Sequence, residues 1–119
     1  MAKINSYKEL QIWQLGIELA DSVYKITDEF PKPEIYSLSN QMRRAAVSIP
    51  SNIAEGFGRF SKLEFIRYLK ISLGSLNELR TQLLIAFRRN YLSRDSYDSL
   101  EQQAEQISKM LFRFLQTKT

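Results

Sequence analysis

The residues whose types and spacing could do chemistry are concentrated in one stretch, SIPSNIAEGFGR, at positions 48–59. Asn52 and Glu55 stand three residues apart and two glycines follow, a combination that could serve acid–base catalysis or phosphate binding. A dinucleotide-binding loop requires G-x-G-x-x-G after a strand, whereas here RFS follows Gly58 and a helical segment precedes Gly56. Glu55 has no second carboxylate or other base in the stretch. We therefore expect no catalytic residue here.

The composition removes the commonest catalytic side chains. The 119 residues contain no histidine and no cysteine, which excludes Ser–His and Cys–His catalysis, disulfides and zinc sites with those ligands. We expect no enzyme activity, no metal or cofactor, and no small-molecule substrate. The chain has 17 Lys+Arg against 13 Asp+Glu and a net charge of +4, with a pI near 9.4. This is a mild bias toward anionic partners.

The length and the hydropathy pattern favour one cytoplasmic domain. A chain of 119 residues is in the usual range of single domains, so we interpret residues 1–119 as one domain. The longest uninterrupted apolar run, LLIAF at 83–87, is far shorter than the ~20 residues of a membrane span. The opening MAKINSYKEL has no apolar signal-peptide core. We expect no association with a membrane.

Four segments with helical periodicity must position these residues. Apolar residues repeat at intervals of three and four, and no segment has sustained period-two alternation. The seams are Leu10, Trp13, Ile17, Ala20 and Tyr24 in the first segment, Ile66, Leu69, Leu73, Leu76, Leu83 and Phe87 in the third, and Tyr97, Leu100, Ala104, Ile107, Leu111 and Phe114 in the last. The pattern predicts an all-α protein, an antiparallel up-down four-helix bundle with short connections.

Serine, proline and glycine mark the ends of the helices. Ser6 and Ser61 each stand three residues before a glutamate, as in a capping box, and Ser93 fits an N-cap. Pro33 suits the first turn of the second helix. Gly58 fits the C-cap of the same helix.

Pro50 lies well inside the second segment. It lacks the N–H that would bond the Ala46 carbonyl, and its ring presses against that carbonyl, so we predict one helix kinked at Pro50. The alternative is two helices with Pro50 at the start of the second, which would make Ile49 a poor N-cap.

The first two helices have more apolar surface than one four-helix core requires. Their apolar arcs span about 200° each, whereas the arc of the last helix spans about 140°. We interpret the surplus as a self-association surface. The alternative is a deep core with long polar side chains folded across it.

Two features of the third helix call for a neighbour. Gly74 and Ser75 are small residues in mid-helix, where glycine costs about 1 kcal/mol relative to alanine, and close approach by another helix would explain them. Arg80 projects into the apolar arc and requires a carboxylate, for which Glu9 and Glu55 are the candidates.

The second helix also has a polar side. Arg44, Ser48, Asn52, Glu55 and Arg59 fall within one arc of about 80°. The pattern is typical of a solvated stripe, with an ion pair between Glu55 and Arg59 at i,i+4.

Nine basic residues outside the apolar seams are candidates for contact with a polyanion. They are Arg43, Arg44, Arg59, Lys62, Arg67, Lys70, Arg88, Arg89 and Arg94. Each alone is typical of a solvated surface, but the symmetry of an oligomer would multiply the modest excess of charge. Tyr68 and Tyr91 could stack on bases, and no recognised RNA-binding module is present. We expect weak, sequence-tolerant binding dominated by phosphates.

The residues together resemble a known family. The stretch LSNQMRRAAVSIPSNIAEGFGRFSKLEFIRYLKISLGSLNEL at 38–79, with YKELQIWQLGIELADSVY at 7–24 and TQLLIAFRRNYLS at 81–93, is similar to the four-helix-bundle proteins encoded in intervening sequences of bacterial 23S rRNA genes. The resemblance covers nearly the whole chain. It implies a bundle that assembles into a ring-like homo-oligomer, a pentamer, without enzymatic activity.

The same resemblance connects the chain to the accessory protein of diversity-generating retroelements, a similar basic bundle that works with a reverse transcriptase and nucleic acid. The matching positions form a structural signature, not a catalytic site. They are Pro50, Asn52, Glu55, Gly56, Gly58, Gly74, Ser75, Glu78 and Arg80.

Two functional hypotheses follow. The first is a non-enzymatic oligomeric bundle that contacts RNA or a ribonucleoprotein through basic faces. The second is a protein-interaction scaffold, for example beside a nucleic-acid-processing protein, without nucleic-acid affinity of its own. Salt discriminates between them, because phosphate contacts weaken steeply as ionic strength rises.

Overall fold

Four α-helices make up most of the computed structural model, which describes residues 4–117. The α-helices are α1 (Gln11–Thr27), α2 (Leu38–Phe57), α3 (Lys62–Arg88) and α4 (Arg94–Thr117), and short 3₁₀ helices at Tyr7–Glu9 and Lys32–Tyr36 precede α1 and α2. No strand occurs within residues 4–117. The prediction of an all-α protein with four long helices is confirmed.

Two of the three predicted serine caps are confirmed. The Oγ atoms of Ser61 and Ser93 accept hydrogen bonds from the backbone N–H three residues later, at 3.3 and 3.1 Å. Ser6 is different, because it caps the 3₁₀ helix Tyr7–Glu9 and α1 begins only at Gln11. The capping box predicted at Ser6 therefore starts a single tight turn and not the long helix.

A glutamate caps the start of α2. Pro33 lies in the second 3₁₀ helix, and α2 begins only at Leu38, where Ser37 provides no side-chain cap. The Glu34 carboxylate accepts hydrogen bonds from Ser37 Oγ at 2.8 Å, from Tyr91 Oη at 3.1 Å and from Leu38 N at 3.4 Å. These bonds, above all that from Ser37, lower the pKa of Glu34 below its ordinary value.

In the turn between α2 and α3, a phenylalanine has an unusual backbone conformation. Gly58 is the C-cap of α2, as predicted, but its φ of −71° is one that any residue adopts. Phe60 has a φ of 54°, in the left-handed region that costs an L-residue roughly 1–2 kcal/mol. The backbone strain in this turn therefore falls on a residue with a bulky side chain.

The buried face of α4 is the predicted one, whereas only part of the predicted seam of α1 is buried. Leu100, Ala104, Ile107 and Leu111 are buried as predicted. In α1 the buried residues are Ile12, Gly16, Leu19, Ala20, Val23 and Thr27, whereas Ile17 and Tyr24 of the predicted seam are 38% and 45% exposed.

A close contact with α2 explains which face of α1 points inward. A Cβ atom added to Gly16 would lie 3.2 Å from Pro50 Cβ. The glycine side of α1 therefore faces α2, and Ile12, Leu19 and Val23 become core. Ile17 and Tyr24 turn outward as a result.

Helix α2 runs without a break from Leu38 to Phe57, with the buried Pro50 inside it. The alternative of two separate helices is therefore wrong. Because proline has no N–H, the Ala46 carbonyl lacks the helical hydrogen bond that residue 50 would supply.

Aromatic pairs tie α3 to α4 at both ends. The rings of Phe87 and Tyr97 stack with centroids 4.8 Å apart, and Phe65 meets Phe114 edge-on at 6.0 Å. Helix α1 contacts both α2 and α4, and α3 contacts the same two helices. This packing is consistent with a bundle. None of its helices, over the residues described, is long and apolar enough to cross a membrane.

Candidate nucleic-acid interface

The polar residues of the stretch at 48–59 hold α2 against α3. Asn52 Nδ2 donates to the carbonyl oxygen of Ser48 at 2.8 Å and to its Oγ at 2.9 Å. Ser48 Oγ and Ser75 Oγ share a hydrogen bond of 2.8 Å. One turn further along, the buried Ser72 Oγ donates to the Ile49 carbonyl at 2.9 Å. These side chains satisfy one another, so their role here is structural.

Glycines of the signature have different surroundings. A Cβ on Gly56 would lie 2.6 Å from Tyr68 Cβ and 3.3 Å from Phe65 Cδ1, so the absence of a side chain lets α2 and α3 approach. Nothing lies within 4 Å of a Cβ on Gly74. The predicted neighbour is therefore present for Ser75, which bonds Ser48, but no helix of the described chain approaches Gly74.

Arg80 finds its carboxylates on α4, and both predicted candidates were wrong. Its Nη2 lies 2.8 Å from Glu101 Oε1 and 3.0 Å from Glu105 Oε2, and the Arg80 side chain is 26% exposed. The hydrogen bond with Glu101 is the main reason that the pKa of Arg80 is raised. Arg80 is thus a tie between α3 and α4 and is unavailable to a phosphate.

Four of the nine basic candidates are held by carboxylates. The pairs are Arg43 with Asp28 at 2.8 Å, Arg59 with Glu55 at 3.8 Å, Arg67 with Glu64 at 3.3 Å and Arg94 with Asp98 at 3.3 Å. The predicted i,i+4 pair of Glu55 and Arg59 is confirmed. Arg43 also donates to Thr27 Oγ1 at 2.8 Å, which fixes it between α1 and α2.

The other five candidates are exposed and form no ion pair within residues 4–117. They are Arg44, Lys62, Lys70, Arg88 and Arg89. Four of the five belong to α3 or its C-cap, and Arg44 lines a groove with Glu78 between α2 and α3. Exposed cations that form no ion pair can contact phosphates directly, because no ion pair has to be broken first.

The two tyrosines proposed as stacking residues are already engaged. The guanidinium groups of Arg59 and Arg67 lie 5.2 and 4.8 Å from the ring centroid of Tyr68. The Tyr91 ring packs against Phe30 at 5.4 Å, and its hydroxyl donates to a carboxylate.

Phe60 is an exposed aromatic residue that was not singled out from the sequence. Its side chain is 92% exposed, and it lines a cavity of about 580 Å³ at the end of the bundle. The signal in the sequence was its position between Arg59 and Lys62, in a turn too short to bury a ring.

Apolar side chains also remain on the outer faces of α1, α2 and α3. Ile17 and Tyr24 of α1 and Val47 of α2 are 38–45% exposed, and Tyr24 and Val47 line the same groove. On α3 the exposed members are Leu63, Ile71, Leu84 and Ile85. The surplus predicted for the first two helices is thus partly at the surface, and α3 adds to it.

The helices and their surface define a class, that of small basic α-helical bundle proteins. Within it, the chain belongs to the family of 23S rRNA-intervening sequence proteins, whose model matches residues 8–113. The resemblance found in the sequence is confirmed.

A solved structure shares the fold. It is the crystal structure at 1.70 Å of a protein of unknown function from the S23 ribosomal protein family of Bacteroides thetaiotaomicron VPI-5482. The two sequences are 25% identical, and the match covers 88% of this chain and 95% of that chain with a TM-score of 0.82. No curated protein matches the sequence.

Proposed function

We propose that the protein is a non-enzymatic, homo-oligomeric bundle of the bacterial cytoplasm that contacts RNA or a ribonucleoprotein through its basic surface. The observation that carries this proposal is that five of the nine candidate cations are exposed and form no ion pair within residues 4–117, most of them on α3. A polyanion gains from such cations because each contact releases condensed counterions. Binding is then sequence-tolerant, since phosphates carry no sequence information.

In the proposed architecture, residues 1–119 form one domain with an antiparallel up-down order. Contacts between α1 and α2 support it, because Gly16 meets Pro50 whereas Thr27, further along α1, meets Arg43, which comes earlier in α2. A kink at Pro50 completes the proposal, supported by the missing N–H inside a continuous helix.

Self-association is the second part of the proposal. Ile17, Tyr24 and Val47 provide apolar surface on adjacent helices, and the family resemblance favours a pentameric ring. Light scattering is the test, with an expected mass several times the 13.9 kDa of the protomer. A monomer at micromolar concentration would contradict it.

An RNA-binding measurement tests the leading function. We expect a structured RNA to shift the protein at low salt, with affinity that falls as salt rises. The double variant Arg88→Glu, Arg89→Glu should bind much more weakly. A matched control, Lys25→Glu with Lys109→Glu, makes the same change in net charge at exposed lysines outside the candidate set.

The scaffold hypothesis predicts a different result. The exposed Ile71, Leu84 and Ile85 on the outside of α3 favour it, because they offer a protein partner, such as a nucleic-acid-processing enzyme, apolar contacts near the same cations. Absence of RNA binding at low salt, or binding that ignores both salt and charge reversal, would select this alternative.

A further inference from the structure

Phe60 occupies a position that its contacts within residues 4–117 do not explain. Its ring is 92% exposed, so it contributes little to the core, and its φ of 54° is unfavourable for a bulky side chain. A glycine or asparagine would fit this backbone better. Because the described part of the chain gives this strained, exposed aromatic residue no evident role, we look for its role in contacts with another molecule.

A cavity lies directly beside the ring. Its volume is about 580 Å³, within the usual size range of ligand sites. Four aromatic residues from three helices and the turn line it, together with Ile4, Leu10, Gly56 and three polar residues. The aromatic residues are Phe57, Phe60, Phe65 and Phe114, and the polar ones are Asn5, Ser61 and Lys62. A flat aromatic ligand would therefore meet aromatic residues and hydrogen-bonding groups at the wall.

The charge at this cavity favours an anionic ligand. Lys62 is the single ionisable residue among the described residues that line it, and Lys62 is exposed without an ion pair. No carboxylate of residues 4–117 lines the cavity to repel a phosphate. Arg59, adjacent to Phe60, contacts Glu55 at 3.8 Å and donates a hydrogen bond to Tyr68 Oη at 2.8 Å, so Lys62 is the cation that remains available at the cavity.

We propose that an unpaired nucleobase of RNA enters this cavity and stacks on Phe60, while Lys62 contacts the neighbouring phosphate. The inference rests on the proposed RNA-binding function and assigns it a site that reads unpaired bases by stacking. Aromatic platforms beside cations are a general means of holding single-stranded nucleotides. A protein partner would gain from the apolar wall but would leave the unpaired lysine without a specific role.

A double-mutant cycle between protein and RNA tests the stacking contact. The probe is a short RNA hairpin whose loop nucleotides carry their bases or are abasic, and the proteins are the wild type, Phe60→Leu and Lys62→Gln. Tyr36→Leu is the matched control, since Tyr36 is 91% exposed and lies before α2, at the opposite end of that helix from Phe60.

We expect Phe60→Leu to weaken binding of the intact loop by about 5- to 100-fold, the usual effect of losing one stacked base. The dependence on salt should remain unchanged, because no phosphate contact is lost. Abasic loops should weaken the wild type similarly and Phe60→Leu hardly at all. Lys62→Gln should lower the salt slope by about one phosphate contact, and Tyr36→Leu should match the wild type.

Three results would overturn the inference in distinguishable ways. Salt-dependent RNA binding that is equal for Phe60→Leu and Tyr36→Leu would refute the stacking site and leave the proposed function standing. A lower oligomer mass for Phe60→Leu, with RNA affinity unchanged, would assign the ring to a subunit contact. No binding of either hairpin at low salt would refute the function and the site together. Melting temperature checks that the variants fold.

Discussion

Replacing Gly56 by alanine is the most direct test of how closely α2 and α3 approach. The new Cβ would lie 2.6 Å from Tyr68 Cβ, an atom next to the α3 backbone that cannot swing aside. A normal contact would require the two helices to separate by roughly 1 Å, since carbon atoms prefer separations of about 3.5–4.0 Å. Overpacking of this kind costs about 1–3 kcal/mol.

Helix propensity acts in the opposite direction. Alanine is favoured over glycine by about 1 kcal/mol inside a helix. Because the clash falls on an atom that cannot yield, we expect Gly56→Ala to lower the free energy of unfolding by up to about 2 kcal/mol net. Urea unfolding followed by circular dichroism measures the change.

Gly74→Ala is the matched control, because it makes the same chemical change in a neighbouring helix with nothing within 4 Å of the new Cβ. We expect it to raise the free energy of unfolding by about 1 kcal/mol. Equal stabilisation by both variants would refute the close approach at Gly56. A fall in oligomer mass for Gly74→Ala alone would place another subunit against that surface.

Three further changes test other contacts. Pro50→Ala should raise the free energy of unfolding by about 1 kcal/mol in urea melts, because it restores a donor to the Ala46 carbonyl and removes a steric cost that exceeds the lost ring contacts. Arg80→Leu should lower it by about 1–2 kcal/mol in the same melts, as the tie to Glu101 is lost. The folded-state pKa of Glu34 is lowered from 4.5. Its contribution to the free energy of unfolding is therefore present above that pH and is lost as the pH falls through the folded-state pKa. In urea melts, Glu34→Gln should accordingly lose less stability on acidification than the wild type does.

The sequence predicted the buried face of a helix correctly where the apolar pattern allowed only one such face. Helix α4 is polar on most of its circumference, so Leu100 and Ile107 could face only the core. Helix α1 is apolar on more than half of its circumference, and both Ile17 and Leu19 could be core residues by spacing. The choice depended on Gly16 meeting Pro50, which is a tertiary contact that periodicity does not contain.

In the candidate site, too, the sequence predicted some features and could not predict others. The position of Arg80 in an apolar arc predicted that it needs a carboxylate partner. It did not predict which one, because Glu101 and Glu105 lie more than twenty residues further along the chain. Three of the four paired arginines among the basic candidates have their carboxylate three or four residues away, within reach of sequence reasoning, whereas Arg43 pairs with Asp28 fifteen residues earlier. Phe60 escaped prediction because its exposure results from the geometry of a short turn, not from its residue type.

The hydrogen bonds and the glycine contact between α2 and α3 have a consequence for the register of the bundle. Leucine and isoleucine recur along both helices, so a slide of one turn, about 5.4 Å, would still bury apolar side chains against one another. The same slide would remove the Ile49 carbonyl from the buried Ser72 hydroxyl and the space at Gly56 from Tyr68. The Ser72 hydroxyl would then lack its acceptor, and Tyr68 would lose the space that Gly56 leaves for it. Both effects would disfavour the slipped arrangement. Small and polar residues thus select one register among several that burial alone permits, as a single buried asparagine does in a coiled coil.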